Sequence, residues 1–169
     1  VELDHVLSFG ERASARIVAG CFEAEGIPAT PVDSYDLGLT TDSNHGNARP
    51  LPSAHAEIRR SVEDIPGVPV VTGFLAKDRA GNLTTLGRNG SDLSASLLAE
   101  ASGAGSVEFW KGVPGVLTAG PSVVPDARPI GRLGFADAEE LGQLGARVLH
   151  PDAIAPASRA GIEVRVRFV

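Results

Sequence analysis

The strongest constraint on the fold of this chain is the order in which two periodicities follow one another. Short extendable apolar runs alternate with stretches whose apolar residues recur at helical spacing, from one end to the other. Val6–Phe9 is an apolar run that breaks at Gly10, and Glu11–Glu25 then places Ala15, Val18, Ala19 and Phe22 on one helical face. This predicts a strand, a tight turn and a helix that Gly26 stops. Pro28–Tyr35 is extended, and Asp36–Pro52 is polar enough to be a functional loop or a short antiparallel ribbon. Ser53 is placed to cap a helix to Asp64 with Ile58 and Val62 inward. Val68–Phe74 is nearly continuous in apolar residues, the pattern of a central strand buried on both faces of a parallel sheet.

The second half continues the alternation. Leu75–Leu86 reads as a hairpin around Asp78–Asn82, and Ser91 as the cap of a helix through Ala101 with Leu93, Leu97, Leu98 and Ala101 as its stripe. Val107–Trp110 is a short strand, and Val113–Pro129, punctuated by prolines, is a surface loop. Helices over Ala136–Leu144 and Asp152–Ala160, ended by Gly145 and Gly161, precede a strand over Glu163–Val169. Such interleaving predicts an α/β protein with a mostly parallel central sheet flanked by helices. No longer repeat is visible.

Composition narrows the function. At 169 residues the chain makes one domain, or two thin lobes around one sheet, and 43% hydrophobic residues suffice for a core. Fifteen basic against 21 acidic side chains leave a charge of −6, which speaks against a nucleic-acid partner or a polybasic membrane patch. The longest apolar run, Val68–Ala76, is about half the ~20 residues of a spanning helix, and Glu2 and Asp4 leave no basic leader region. The expectation is a soluble, cytoplasmic protein without a membrane partner. Cys21 is the only cysteine, so no internal disulfide forms and it reads as a small buried hydrophobe. His5, His45, His55 and His150 show no ligand spacing, so no metal site is expected. Lysine-dependent phosphate chemistry has two carriers only, Lys77 and Lys111. Because the chain contains no methionine, either an initiator was trimmed before Val1 or this is part of something longer.

The densest unusual stretch is Thr84–Asp92, polar and glycine-rich, between the hairpin and a helix start. Free N–H groups and the helix dipole suit an anion there, and Arg88 offers a planar fork for a carboxylate or phosphate. An ordinary capped loop fits the spacing equally well.

This stretch resembles the aspartokinase signature of two threonines, leucine, glycine and arginine ahead of glycine, serine and aspartate. Other segments agree in order: Leu7–Glu11, Val71–Phe74, Gly115–Ala119 with Val124–Arg128, and Gly145–Pro151. The resemblance implies the sandwich fold of the amino-acid kinase family, lacking N-terminal strands and any ACT domain. Residues 1–67 would form the amino-acid-binding part and 68–169 the nucleotide-binding part. The implied activity is phosphorylation of the side-chain carboxylate of L-aspartate, or of a related amino acid, with ATP and magnesium. By position, Glu11 would meet the substrate ammonium, Arg88 its carboxylate, Ser91 would add a carboxylate contact and Phe74 would border the pocket. Asp92 and Arg147 would be catalytic, with Lys111, Gly112, Leu117, Ser122 and Arg147 toward the nucleotide.

Several positions depart from the family pattern. Lys111-Gly112 replaces a Thr or Ser followed by Asp, Gly120 replaces an aspartate, Ser122 an arginine and Arg147 a lysine. Lys111 would then be either a compensating cation or a solvated side chain. The alternatives to a kinase are a degenerate homologue that binds an amino acid as a partner or scaffold, and a divergent biosynthetic enzyme reusing that pocket. An absent front portion would leave an apolar sheet edge, to be covered in a homo-oligomer or by a companion chain.

Overall fold

The structure, a computed structural model, describes residues 1–120, 122–144 and 149–169. A long helix α1 (Glu2–Ala24) leads to β1 (Ala29–Val32), a 3-10 turn (Ser34–Leu37) and β2 (Thr40–Thr41). Then follow α2 (Ala54–Val62), β3 (Val68–Val71), β4 (Leu75–Asp78), β5 (Leu83–Thr85) and α3 (Gly90–Ser102). The chain closes with β6 (Ser106–Lys111), α4 (Phe135–Gln143), α5 (Pro151–Ala160) and β7 (Glu163–Phe168). Strands β1 and β3, β2 and β4, and β6 and β7 pair in parallel, and the β4–β5 hairpin is antiparallel. The α/β class with parallel pairing is therefore as expected. Between β2 and α2 the polar loop folds back, with an antiparallel bridge from Thr41 to Pro50.

Helix α3 organises the packing because its two faces serve two cores. Leu97 and Ala101 join Leu37, Leu39, Ala54, Ile58, Ala76 and Leu86 on one side. Ala99 joins Val107, Phe109, Ala157 and Ile162 on the other. Leu75, Ile58 and Ile154 are fully buried, and each contributes about 1.5–3 kcal/mol through the hydrophobic effect. The Asp78–Asn82 turn is held by the Asp78 carboxylate, which accepts from the Ala80 and Asn82 N–H groups at 3.0 and 2.9 Å. Among the described residues no helix is long and apolar enough to cross a membrane.

Three local expectations are corrected. Val6–Phe9 is not a strand: it lies inside α1, which runs through Gly10 without a break. Its inward face is Asp4, Ser8, Ala15 and Ala19, small and polar, while Leu3, Val6, Phe9 and Ile17 are exposed. Ala15 and Ala19 of the expected face do point inward, whereas the larger apolar residues mark the outer face, and the small inward residues let the helix approach the sheet closely. Val18 also points outward, and Cys21 is exposed rather than buried. Second, β3 pairs with β1 alone and is half-exposed, so the run Val68–Phe74 is a shorter and less buried strand than its composition implies. Third, Ser91 does not cap α3. Asn89 takes the cap position in the left-handed region, and Ser91 is the second residue of the helix.

Candidate functional site

The candidate residues gather where β3 ends. Glu11 is placed by the way α1 is clamped to the segment after β1. Arg12 Nε donates to the Asp33 carboxylate at 3.1 Å, Arg16 Nη1 donates to its other oxygen at 3.1 Å, and the Tyr35 hydroxyl donates at 2.7 Å. Burial alone would raise the Asp33 pKa, but the hydrogen bonds from Arg16 and Tyr35 and the charges of Arg16 and Arg12 outweigh it and hold the carboxyl below its ordinary value. The Tyr35 phenol is pushed up to about 12, by burial first and then by its bond to Asp33. Since Arg12 adjoins Glu11, this clamp fixes the roll of α1 and turns the Glu11 carboxyl toward the backbone of Gly73. Partial burial raises the Glu11 pKa above its usual 4.5, and the hydrogen bond with the Gly73 backbone offsets part of the rise.

Gly73 carries Glu11's neighbourhood over to α3. A Cβ on Gly73 would lie 2.9 Å from both Cβ and Oγ of Ser91, so only glycine permits this approach. Gly90 is equally tight, with a Cβ there falling 2.8 Å from the Phe74 ring. Phe74 is pinned by its N–H, which donates to Ser94 Oγ at 3.0 Å, and by its carbonyl, which accepts from Leu86 N–H at 2.9 Å. Among the described residues Phe74 (φ 66°) and Asn89 (φ 61°) are the non-glycine residues with left-handed backbone, and both sit at this junction. Such conformations cost about 1 kcal/mol or more each, and packing must hold them in place. Arg88 stands in the turn between β5 and α3, exposed, and makes no hydrogen bond or ion pair among the described residues. The structure therefore brings Glu11, Phe74 and Ser91 together around two glycines, with Arg88 at their margin and its fork uncommitted.

Of the residues expected toward the nucleotide, one makes a side-chain ion pair among the described residues. Lys111 Nζ, at the end of β6, donates to both carboxylate oxygens of Asp92 at 2.8 and 2.6 Å. The Lys111 side chain is 27% exposed and that of Asp92 16%. Lys111 is thus not a freely solvated side chain. Gly112 follows it at the surface, and Leu117 lies in the loop after β6, next to a bridge partner of its own, Pro129. Ser122 is exposed in the same loop. Neither shares a hydrogen bond or ion pair with Lys111 among the described residues. Arg147 lies outside the described residues. A recess of about 970 Å³ lies between this loop and Val164, Val166 and Ile154, and among the described residues none of the candidates lines it. Among the described residues no group of three His, Cys, Asp or Glu side chains could hold a metal ion.

Sequence reasoning missed one anchor of this region. Buried Asp4 accepts from Gly46 N–H at 3.0 Å and from Thr85 Oγ1 at 2.6 Å, and lies 2.8 Å from His45 Nδ1. It ties α1 and the polar loop to β5, three residues before Arg88. No local signal marks it, because the partners are up to 81 positions apart.

The amino acid kinase family model matches residues 1–167. Aspartokinase 1, chloroplastic, of Arabidopsis thaliana is 39% identical over 169 residues, covering 97% of this chain and 30% of its own length. The aspartokinase of Thermus thermophilus is 39% identical over 166 residues, 98% of this chain and 41% of the relative. Among solved structures, E. coli aspartokinase III in complex with aspartate and ADP superposes with a TM-score of 0.86 at 35% identity, covering 96% of this chain and 37% of that one. The chain therefore spans about a third to two fifths of the length of these relatives. With the family model matched over nearly all its residues and the α/β architecture in place, this chain belongs to the amino acid kinase family.

Proposed function

We propose that this chain forms the amino-acid site and part of the nucleotide site of an aspartokinase, which phosphorylates the side-chain carboxylate of L-aspartate, or of a related amino acid, with MgATP. The observation that carries this reading is the convergence of Glu11, Phe74 and Ser91 on Gly73 and Gly90 beside a free Arg88, in a chain similar to an aspartokinase that holds aspartate and ADP. Arg88 pairs its fork with the substrate α-carboxylate, Ser91 adds a hydroxyl, Glu11 meets the ammonium and Phe74 walls the pocket. Residues 1–67 supply Glu11, and the nucleotide lies toward residues 68–169, with Lys111, Gly112, Leu117, Ser122 and Arg147 on its side. Asp92 and Arg147 serve the transfer.

The chemistry asks little covalent work of the protein. An oxygen of the substrate side-chain carboxylate attacks the γ-phosphorus and forms an O–P bond. The bond from that phosphorus to the β,γ-bridging oxygen breaks, and ADP leaves with the electron pair. The nucleophile is already an anion, so no proton has to be removed. Positioning and charge neutralisation therefore dominate. Magnesium, when bound with the nucleotide, would neutralise charge on its phosphates.

Calorimetric titration with aspartate and with MgATP tests the reading. Binding of both supports it. Binding of aspartate alone overturns the kinase half in favour of an amino-acid-binding homologue, and binding of neither overturns the whole. The pH dependence has a definite sign. Glu11 must be ionised to hold an ammonium, and its raised pKa means that it protonates at a higher pH than an ordinary glutamate. Aspartate affinity should therefore fall on acidification already above pH 4.5, the usual glutamate value. A cytoplasmic location goes with this function. The exposed stripe Leu3, Val6, Phe9 and Ile17 on α1 is covered in a homo-oligomer or by a companion chain, and light scattering that shows a monodisperse monomer would count against self-association.

A further inference from the structure

Lys111 is held in a way that a surface lysine is not. An ammonium has three N–H donors, and Asp92 engages it through both carboxylate oxygens. Two donors are thereby fixed in direction and the third remains for another acceptor. The two residues come from different elements, Asp92 from the first turn of α3 and Lys111 from the last position of β6, and the Phe109 ring lies 5.7 Å from the ammonium. Within the partial burial of this pair a charge is screened less than at an open surface, and fixing a flexible four-carbon side chain removes the entropy that a free lysine would lose on binding. The other lysine of the chain is engaged elsewhere: Lys77 Nζ sits 3.9 Å over the Tyr35 ring. On the same α3 turn as Asp92 stands Ser91, which touches the amino-acid side of the site through Gly73. The Asp92–Lys111 pair thus adjoins the point where the two substrates must meet.

We propose that Lys111, aimed by Asp92, donates its remaining N–H to the phosphoryl group in transfer and neutralises the charge that group carries. This rests on the kinase reading above. Asp92 is then a positioning residue, acting through Lys111, and Lys111 the catalytic one. As the carboxylate oxygen bonds to the γ-phosphorus and the bond to the β,γ-bridging oxygen breaks, negative charge grows on the departing ADP. The ammonium stays protonated throughout, so no proton changes hands at Lys111. The contact addresses phosphate and not base or ribose, which gives it a signature that general loss of packing does not share.

The test compares the full chain with Lys111→Met, Lys111→Arg and Asp92→Asn in calorimetry with the β,γ-imido analogue of ATP, with AMP and with aspartate. Lys111→Met should weaken the triphosphate by about ten- to hundredfold, the range for one hydrogen bond to a charged group, while AMP and aspartate change less than about threefold. Lys111→Arg should restore part of the loss, and Asp92→Asn should show a smaller loss of the same selectivity. Thermal melts of each variant report folding separately. Wild-type chain that binds the triphosphate no better than Lys111→Met overturns this inference and leaves the kinase reading standing. An equal loss for AMP and the triphosphate overturns it too, by assigning Lys111 a structural role. Wild-type chain that binds no nucleotide overturns both.

Discussion

Arg88→Ala should abolish aspartate binding and leave the fold untouched. The side chain is exposed and makes no hydrogen bond or ion pair among the described residues, so its removal deprives the folded chain of no partner. Surface changes of that kind shift stability by about 0.5 kcal/mol at most. The ligand loses more. A guanidinium fork on a carboxylate makes two charge-assisted hydrogen bonds, each worth about 1.5–3 kcal/mol, so affinity should drop by a hundredfold or more. Arg88→Lys keeps the charge without the fork and should recover only part of this. Calorimetry with aspartate beside a thermal melt gives both numbers. Unchanged affinity would remove Arg88 from the site and with it the assignment of the substrate carboxylate.

The opposite pattern belongs to Asp4→Ala, where stability is lost first. The carboxylate is 2% exposed, and its removal strands the buried Thr85 hydroxyl and takes the acceptor from the more accessible Gly46 N–H and from His45. A buried donor left unpaired costs about 1–3 kcal/mol, and the Gly46 and His45 donors can turn to water. A destabilisation of about 1–3 kcal/mol is therefore expected, read as a lower urea midpoint with an unchanged slope. Aspartate affinity should fall as well, because the same carboxylate steadies β5 ahead of Arg88. A loss below about 1 kcal/mol would show that water substitutes for the carboxylate and that this anchor is dispensable.

These two residues also mark what could be read in advance. Arg88 lies in a contiguous stretch of unusual composition, and the hairpin, the helix after it and the polar loop following β6 were each legible from spacing within about a dozen residues. Gly161 ends α5 in the left-handed conformation, as a glycine after a periodic stretch implies. Asp4, by contrast, is an acidic residue near one end of the chain with no periodicity to single it out. Val6–Phe9 misled for a related reason. Four apolar residues fit a strand or a helical turn equally, and the face of α1 that packs inward is the small and polar one. Serine favours the cap position, but α3 begins at Gly90 with left-handed Asn89 as its cap, and Ser91 instead lies against Gly73.

What the sequence by itself determined was the kind of most elements after α1 and the family to which their order belongs, since period, turn chemistry and contiguous motifs are all local properties. Only the tertiary structure decided which charges meet. Arg12 finds Asp33 across 21 positions, Lys111 finds Asp92 across 19 and Asp4 finds Thr85 across 81. The energy of an ion pair or a buried hydrogen bond depends on separation in space and on exclusion of water, and a linear spacing specifies neither until the two cores on either side of α3 have packed.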